Sequence, residues 1–379
     1  MTQVRPTGSD SISYAGVAAG LAVGGCLTWN VSNVGAAADP LAAHYGVSVA
    51  VVGLLTTALF VTHLAVQLPS GRAADRFGSQ SVALLAIMAG VLGNVLLLID
   101  AGFELALVGR AIVGLGSGAA FVSGLDLVRA GGGGPALQGL YGGATMTGGG
   151  LALMVVPPLT DATSWRAAYW TAALLAILAA IPTMLARGLP RIGHAGAWLL
   201  GDRALLPIGI MQAATFGLAV VAGNWVVPLL ERQGVSSTAA GLAGGLVLFV
   251  GIVTRPAGGM LAGRVGAKRL LAAALVGTAS GALILSIGGS LALSTLGAFV
   301  LGFTAGLPFA VIFAAAQRQR PDAPGAAIAL VNACAVLTIL VGTPLAGLAF
   351  ELPSDGRIAF AAIAVLAAAA LIPLRSARI

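Results

Sequence analysis

Long apolar runs follow one another along almost the whole chain, at residues 14–38, 50–70, 81–99, 104–128, 137–158, 166–186, 205–229, 238–258, 270–288, 291–315, 326–348 and 358–374. Short polar breaks separate them. Each run is about the 20 residues that an α-helix needs to cross a bilayer. None alternates polar with apolar positions, as a strand of a transmembrane barrel must. The pattern predicts an all-α integral membrane protein with about twelve transmembrane helices.

Composition agrees: of 379 residues 58% are hydrophobic and only 8% charged, against about 25% charged in soluble domains. The first run lacks an A-x-A-like cleavage site and reads as a retained span rather than a signal peptide. Cys26 and Cys334 fall inside predicted spans far apart in the chain, as small apolar residues with no disulfide or metal framework. No cofactor is implied.

The placement of charge carries more than its amount. Among the 19 basic residues, Arg110 and Arg255 lie within runs, and Arg166, Arg232 and Arg357 lie at one set of run ends. All the others, among them Arg5, Arg72, Arg76, Arg129, Arg264, Lys268, Arg318 and Arg375, lie at the opposite set. The positive-inside rule then predicts an inner or plasma membrane protein with both termini cytoplasmic. The breaks at 71–80, 129–136, 187–204, 264–269 and 317–325 should face the cytoplasm too. The net charge of +7 is a topology signal, and no nucleic-acid partner follows from it.

The chain also repeats itself. "PLAAHYGVSVAVVG" from Pro40 and "PLLERQGVSSTAAG" from Pro228 share Pro, Leu, Gly, Val, Ser and Gly at a constant offset of 188 residues. That offset lays "GRAADRFGSQ" (71–80) on "GMLAGRVGAK", matching Gly71 to Gly259, Arg76 to Arg264 and Gly78 to Gly266. Two six-helix halves in parallel orientation are predicted, at 1–187 and 205–379, joined by a cytoplasmic linker at 188–204. Such repeats place a substrate site at the interface between halves, near the bilayer midplane.

The stretch 71–80 must reverse the chain between a span ending near Ser70 and another starting near Ser81. Its glycines permit close approach and positive φ. Asp75 can cap a helix N-terminus, and Arg76 can serve both the inside rule and a carboxylate. A hairpin that only fixes topology would explain one such break, but not its recurrence with Gly263 in place of the Asp.

G-x-x-x-D-R-x-G between predicted spans two and three resembles the loop signature of the major facilitator superfamily, and its degenerate copy between spans eight and nine is typical of that family. "RAIVGLGSG" from Arg110 resembles the family's span-four pattern, and "SWRAAYW" from Ser164 the common opening of span six. The resemblance covers the whole chain. It implies the major facilitator fold of two pseudo-symmetric six-helix bundles, a secondary transporter working by alternating access, and a cytoplasmic gate latch. The gating set is then Gly71, Asp75, Arg76, Gly78 and Asp126, with Arg264 in the second copy. Ser79 and Gln80 depart from the pattern where a second basic residue is usual, so Arg72 or Arg129 would take that part.

Ionisable groups within spans are functional candidates. Arg110 either snorkels to the outer interface and supports packing, or acts in coupling or substrate binding. Arg255, in "GIVTRPAGG", either snorkels to the cytosol or resembles the span-eight arginine with which monocarboxylate transporters anchor substrate, a position nitrate porters also use. A guanidinium matches planar carboxylate or nitrate. Gln67 is repeat-equivalent to Arg255, where nitrate porters carry a second arginine, which weighs against nitrate. His63 is the one mid-span residue of a type that ordinarily titrates near neutral pH, yet a lone His in an apolar helix is more often a hydrogen-bonded packing residue. Asn30 and Asn33, beside Trp29, suit a cavity wall, since spans one, four, seven and ten line the cavity in this family. Asn94, Gln212, Asn224 and Asn332 are either interhelical glue or ligand contacts. Gly114, Gly116 and Gly118 lie inside an apolar span with no preceding strand, so they suit close helix packing rather than a phosphate loop.

No Asp or Glu lies at mid-depth in a predicted span. A drug–proton antiporter generally needs such a carboxylate, whereas two intramembrane arginines without one favour anions. The sequence favours a monomeric carrier of a small organic or inorganic anion, coupled to a proton or counter-ion. Proton-coupled efflux of hydrophobic compounds is the alternative. An enzyme would need a nucleophile, metal cluster or acid pair that the chain does not offer.

Overall fold

In the computed structural model, residues 12–191, 199–354, 356–377 and 379 are described. Twelve helices among them are long and apolar enough to cross a bilayer. In order the spans are Tyr14–Ala36, Val51–Phe77, Ser79–Ile99, Phe103–Ala130, Pro135–Ala162, Ala167–Leu185, Leu206–Arg232, Leu242–Val265, Ala267–Ile287, Leu291–Gln319, Pro324–Leu348 and Arg357–Ser376. A short helix, Ala38–Tyr45, joins spans one and two. The predicted linker at 188–204 lies partly, and the chain's first 11 residues wholly, outside the described residues.

Local chemistry fixes where these helices begin. The Ser48 and Ser236 hydroxyls accept from the Val51 and Ala239 amides, capping the helices of spans two and eight. They are the same Ser of the repeated G-V-S, 188 residues apart. The break between spans two and three is far shorter than the polar stretch predicts. Span two stays helical through Phe77, and Gly78 alone turns the chain before Ser79 opens span three. Polar residues at 71–77 end the apolar run but not the helix, because an α-helix satisfies its own backbone in water as in lipid. Gly78 has φ 88°, and its repeat partner Gly266 has φ 85°, a region that favours glycine.

Lipid offers helices no hydrophobic drive to associate, so close backbone approach and interhelical hydrogen bonds must hold them. The repeat reappears in these contacts. A Cβ on Gly93 would lie 2.6 Å from the Gly109 oxygen, and one on Gly281 would lie 2.9 Å from the Gly297 oxygen. Those pairs join spans three to four and nine to ten at the same offset. Gly114 abuts the Leu59 carbonyl of span two, and Gly302 the Val247 carbonyl of span eight. The glycines of span four are thus contact points between helices.

The halves meet along two seams, span two against span eleven and span five against span eight. Arg72, Arg76, Arg129, Arg264, Arg318 and Arg320 mark the basic end of the bundle. Near that end the final segment of span ten, Phe309–Gln319, also packs on span five, and span four on span eleven. Toward the other end, Leu218–Arg232 of span seven and Leu291–Gly306 of span ten pack extensively only within their own half, among the described residues. The assembly is closed at its basic end.

Gly114→Val tests the packing account directly. Its Cβ would stand 2.0 Å from Thr62 Oγ1 and 2.2 Å from the Leu59 oxygen, and a backbone carbonyl cannot step aside. We expect a loss of about 1–3 kcal/mol, read as a lower melting temperature in detergent. Gly35→Val, with nothing near its Cβ, is the control that should melt like wild type.

Candidate functional site

At the closed basic end the halves are pinned by a carboxylate. Asp75 Oδ1 accepts from the Gly325 amide at 2.8 Å and Oδ2 from the Ala326 amide at 3.1 Å. These amides open span eleven, where Pro324 sits in the first turn, and a carboxylate there also meets the positive end of the helix dipole. Gly71 packs one turn away, its missing Cβ leaving room for the Gly325 oxygen 2.5 Å from where that Cβ would be. Asp126, near the end of span four, accepts from Ser79 at the start of span three and pairs with Arg129 at 2.5 Å. Ser79 therefore binds the acid where a basic residue was expected, and Arg129 supplies the charge. Arg76 lies over the Phe77 ring at 5.0 Å.

Deeper in the bundle lies Arg255, which does not snorkel. Only 2% exposed, it reaches across the seam and donates from Nη1 to the Gly142 oxygen at 3.0 Å and to Thr145 Oγ1 at 3.1 Å, both in span five. Its guanidinium is sandwiched between Phe216 at 4.7 Å and Phe309 at 4.4 Å. Both rings come from irregular points in the spans. Phe216 sits in a π-helical segment, Ala213–Gly217, within span seven. Phe309 follows Pro308, where span ten breaks. Among the described residues, Nε and Nη2 of Arg255 make no hydrogen bond, and no carboxylate pairs with it. A cavity of about 20 Å³ opens beside it, lined by Met146, Phe216, Gly251 and Gly306 among others. That holds roughly one water.

The repeat partner of Arg255 makes the matching bridge on the other seam. Gln67 Oε1 accepts from Asn332 Nδ2 of span eleven at 3.1 Å, and both side chains are buried. Gln67 Nε2 and Asn332 Oδ1 have no partner. The two seams are therefore crossed at one depth by an amide pair and by an arginine.

The other candidates stand elsewhere. Arg110 is wholly buried within the first half, donating to the Leu55 oxygen at 3.3 Å, Asn33 Oδ1 at 3.4 Å and the Asn30 oxygen at 2.7 Å. Asn33 in turn donates to the Ala168 oxygen at 2.7 Å, and Asn94 to Asn30 Oδ1 at 2.9 Å. Asn30 and Asn33 thus face neighbouring helices rather than walling a cavity. They form a polar knot joining spans one, two, three, four and six. His63 Nδ1 lies 2.9 Å from Ser117 Oγ, between spans two and four. Arg110, Asn30, Asn33 and His63 do not line the space beside Arg255. Arg264, at the basic end of span eight, has no part in the Asp75 contact.

Thr145, Phe216 and Phe309 escape a reading of ionisable residues. The "GLPF" at 306–309, a Gly and a Pro inside an apolar run, is the one signal that span ten breaks there.

The family model of the Major Facilitator Superfamily matches residues 20–207 and 205–377. The chain belongs to the major facilitator superfamily. Solved transporter structures share its fold at low identity. The Escherichia coli fucose:proton symporter FucP aligns with TM-score 0.74 and 15% identity, over 94% of this chain and 97% of its own. The human organic anion transporter MFSD10 gives 0.75 and 16%, over 95% and 99%. The proton:xylose symporter XylE gives 0.74 and 16%, over 95% of each. No curated protein is significantly similar in sequence. Members of this superfamily are secondary transporters, and the Asp75 contact joins the two halves of this one.

Replacing Asp75 by Asn keeps one acceptor and loses the charge. Each charge-assisted hydrogen bond contributes about 1.5–3 kcal/mol, so Asp75→Asn should lower the closed-to-open ratio at the basic end by about tenfold or more. Ala329 is fully buried there. An Ala329→Cys thiol should react slowly with an aqueous maleimide, and markedly faster once Asp75→Asn is added. Equal rates would reduce the Asp75 contact to decoration.

Proposed function

We propose that this transporter carries a small anion, organic or inorganic and monocarboxylate-like, with Arg255 as its principal contact. One observation carries the reading: a buried guanidinium at the seam with two nitrogens unbonded, no carboxylate partner and a small cavity beside it. An unpaired buried cation costs several kcal/mol. The two aromatic faces offset part of that cost, and a substrate carboxylate would offset more by taking the free fork. A cationic drug would add to the cost instead. The organic anion transporter among the similar structures, at 16% identity, supports the fold alone.

In this reading the halves 1–187 and 205–379 rock about the two seams, with the basic end cytoplasmic and closed. Substrate enters from the opposite end and settles against Arg255. Its charge then competes with Gly142 and Thr145 for the guanidinium, weakening the bridge between spans eight and five. That couples occupancy to opening through differential binding of the two states. Gln67 and Asn332 retain one free donor and one free acceptor on the other seam, and serve as the polar counterpart. His63, the one imidazole deep in a span, is the proposed proton carrier. Arg110, Asn30 and Asn33 hold the first half rigid against these movements.

Arg255→Lys keeps the charge but loses the planar fork, so substrate binding should weaken by about tenfold, and Arg255→Ala should abolish it. Anion uptake and isothermal calorimetry on reconstituted protein measure both. A substrate that proves cationic or neutral, bound equally by Arg255→Ala, would falsify the anion assignment. His63→Gln should leave anion exchange intact while removing the response to an imposed pH gradient. Retention of that response would place the coupled proton on another group.

A further inference from the structure

The latch at the basic end is built on one side only. At the repeat offset, Asp75 corresponds to Gly263, Asp126 to Ala314, and Arg129 to Gln317. Both carboxylates of the first-half latch are thus missing from the second. Span eleven begins under Asp75, whereas span five begins at Gly134 and Pro135 with no side-chain cap. Gly263 has nothing near its missing Cβ.

A cleft of about 340 Å³ opens where those acids are absent. Arg129, Pro135 and Gln138 line it from the first half, and Ala314, Gln317, Arg318, Pro321 and Pro324 from the second. Among the described residues no Asp or Glu lines it. Two of its polar side chains are nearly buried yet unsatisfied: Gln138, 4% exposed, leaves Oε1 without a partner, and Gln317, 8% exposed, leaves Nε2 without one. Arg129 gives Nε to Asp126, and Arg318 is exposed. One arginine from each half and an unsatisfied amide donor line one space, beside the unsatisfied acceptor of Gln138.

We propose that this cleft binds a small, multiply charged oxyanion of the phosphate type from solution, which bridges Arg129 and Arg318 and holds the basic end shut. The bound anion occupies the role of the missing second-half carboxylates. Gln317 Nε2 gains its acceptor. Because Arg129 and Arg318 belong to different halves, the anion binds the closed state better than the open one, and so shifts the equilibrium toward it. The transporter would then slow when such anions accumulate on the basic side, whatever its substrate.

The test uses purified full-length protein carrying Ala329→Cys and inorganic phosphate as probe. Phosphate at millimolar concentration should slow maleimide labelling and raise the melting temperature beyond chloride at equal ionic strength. In Arg318→Gln both effects should need about tenfold more phosphate, the loss of one charge-assisted hydrogen bond. Gln317→Met, should Arg318→Gln fold poorly, is the second variant expected to weaken protection. Arg255→Ala should keep the phosphate effect, which separates this cleft from the transport site. Protection no better than chloride, or equal in Arg318→Gln and Gln317→Met, overturns the proposal. Protection lost in Arg255→Ala overturns it too, by assigning phosphate to the transport cavity. A last arm compares phosphatidylglycerol with phosphatidylcholine bilayers without phosphate. Protection seen only with the anionic lipid, and indifferent to dissolved phosphate, overturns the free-anion source.

Discussion

Backbone-to-backbone approach at glycine is the constraint on which the structure depends. In lipid a Leu gains nothing by leaving its surroundings for a neighbouring helix, so association must come from contacts that lipid tails cannot make. Gly93 against Gly109, Gly281 against Gly297 and Gly114 against Leu59 bring helices close enough for dispersion and for polar bridging. The same device serves between the halves, where Gly71 meets the Gly325 oxygen and Gly259 the Pro135 oxygen. Between halves Asp75 adds charge to a contact that glycine alone would leave weak.

The polar groups divide along the same line. Arg110, with Asn30 and Asn33, is tied into spans one, two, three, four and six of one half. Arg255 and Gln67 instead each cross a seam. Two buried arginines in one chain thus differ in kind: one satisfied by three acceptors inside a bundle, the other, at the seam between halves, with two nitrogens making no hydrogen bond among the described residues.

Much of this was legible in the sequence, for identifiable reasons. Apolar run length gave the spans, and the 188-residue offset reached as far as individual helix caps, that of Ser48 recurring at Ser236. The stretch 71–80 misled because hydropathy ends at the membrane boundary, whereas the helix ends only where Gly78 adopts positive φ. Asn30 and Asn33 read as cavity residues because sequence fixes depth along a helix but not which neighbour faces which side. Arg255 was visible as a residue. Its aromatic sandwich was not, since Phe216 owes its direction to a π-helical segment that no local composition announces.

That segment has a mechanical consequence. Spans one and four run unbroken through the first half, whereas spans seven and ten are both interrupted at the level of Arg255, at 213–217 and 307–308. The second half therefore carries a crease across its middle, and the first does not. Leu218–Arg232 and Leu291–Gly306 are thereby set apart from the helical segments that precede or follow them. If the proposed anion does sit against Arg255, that crease is where one bundle could bend onto a stiffer partner without the whole half swinging.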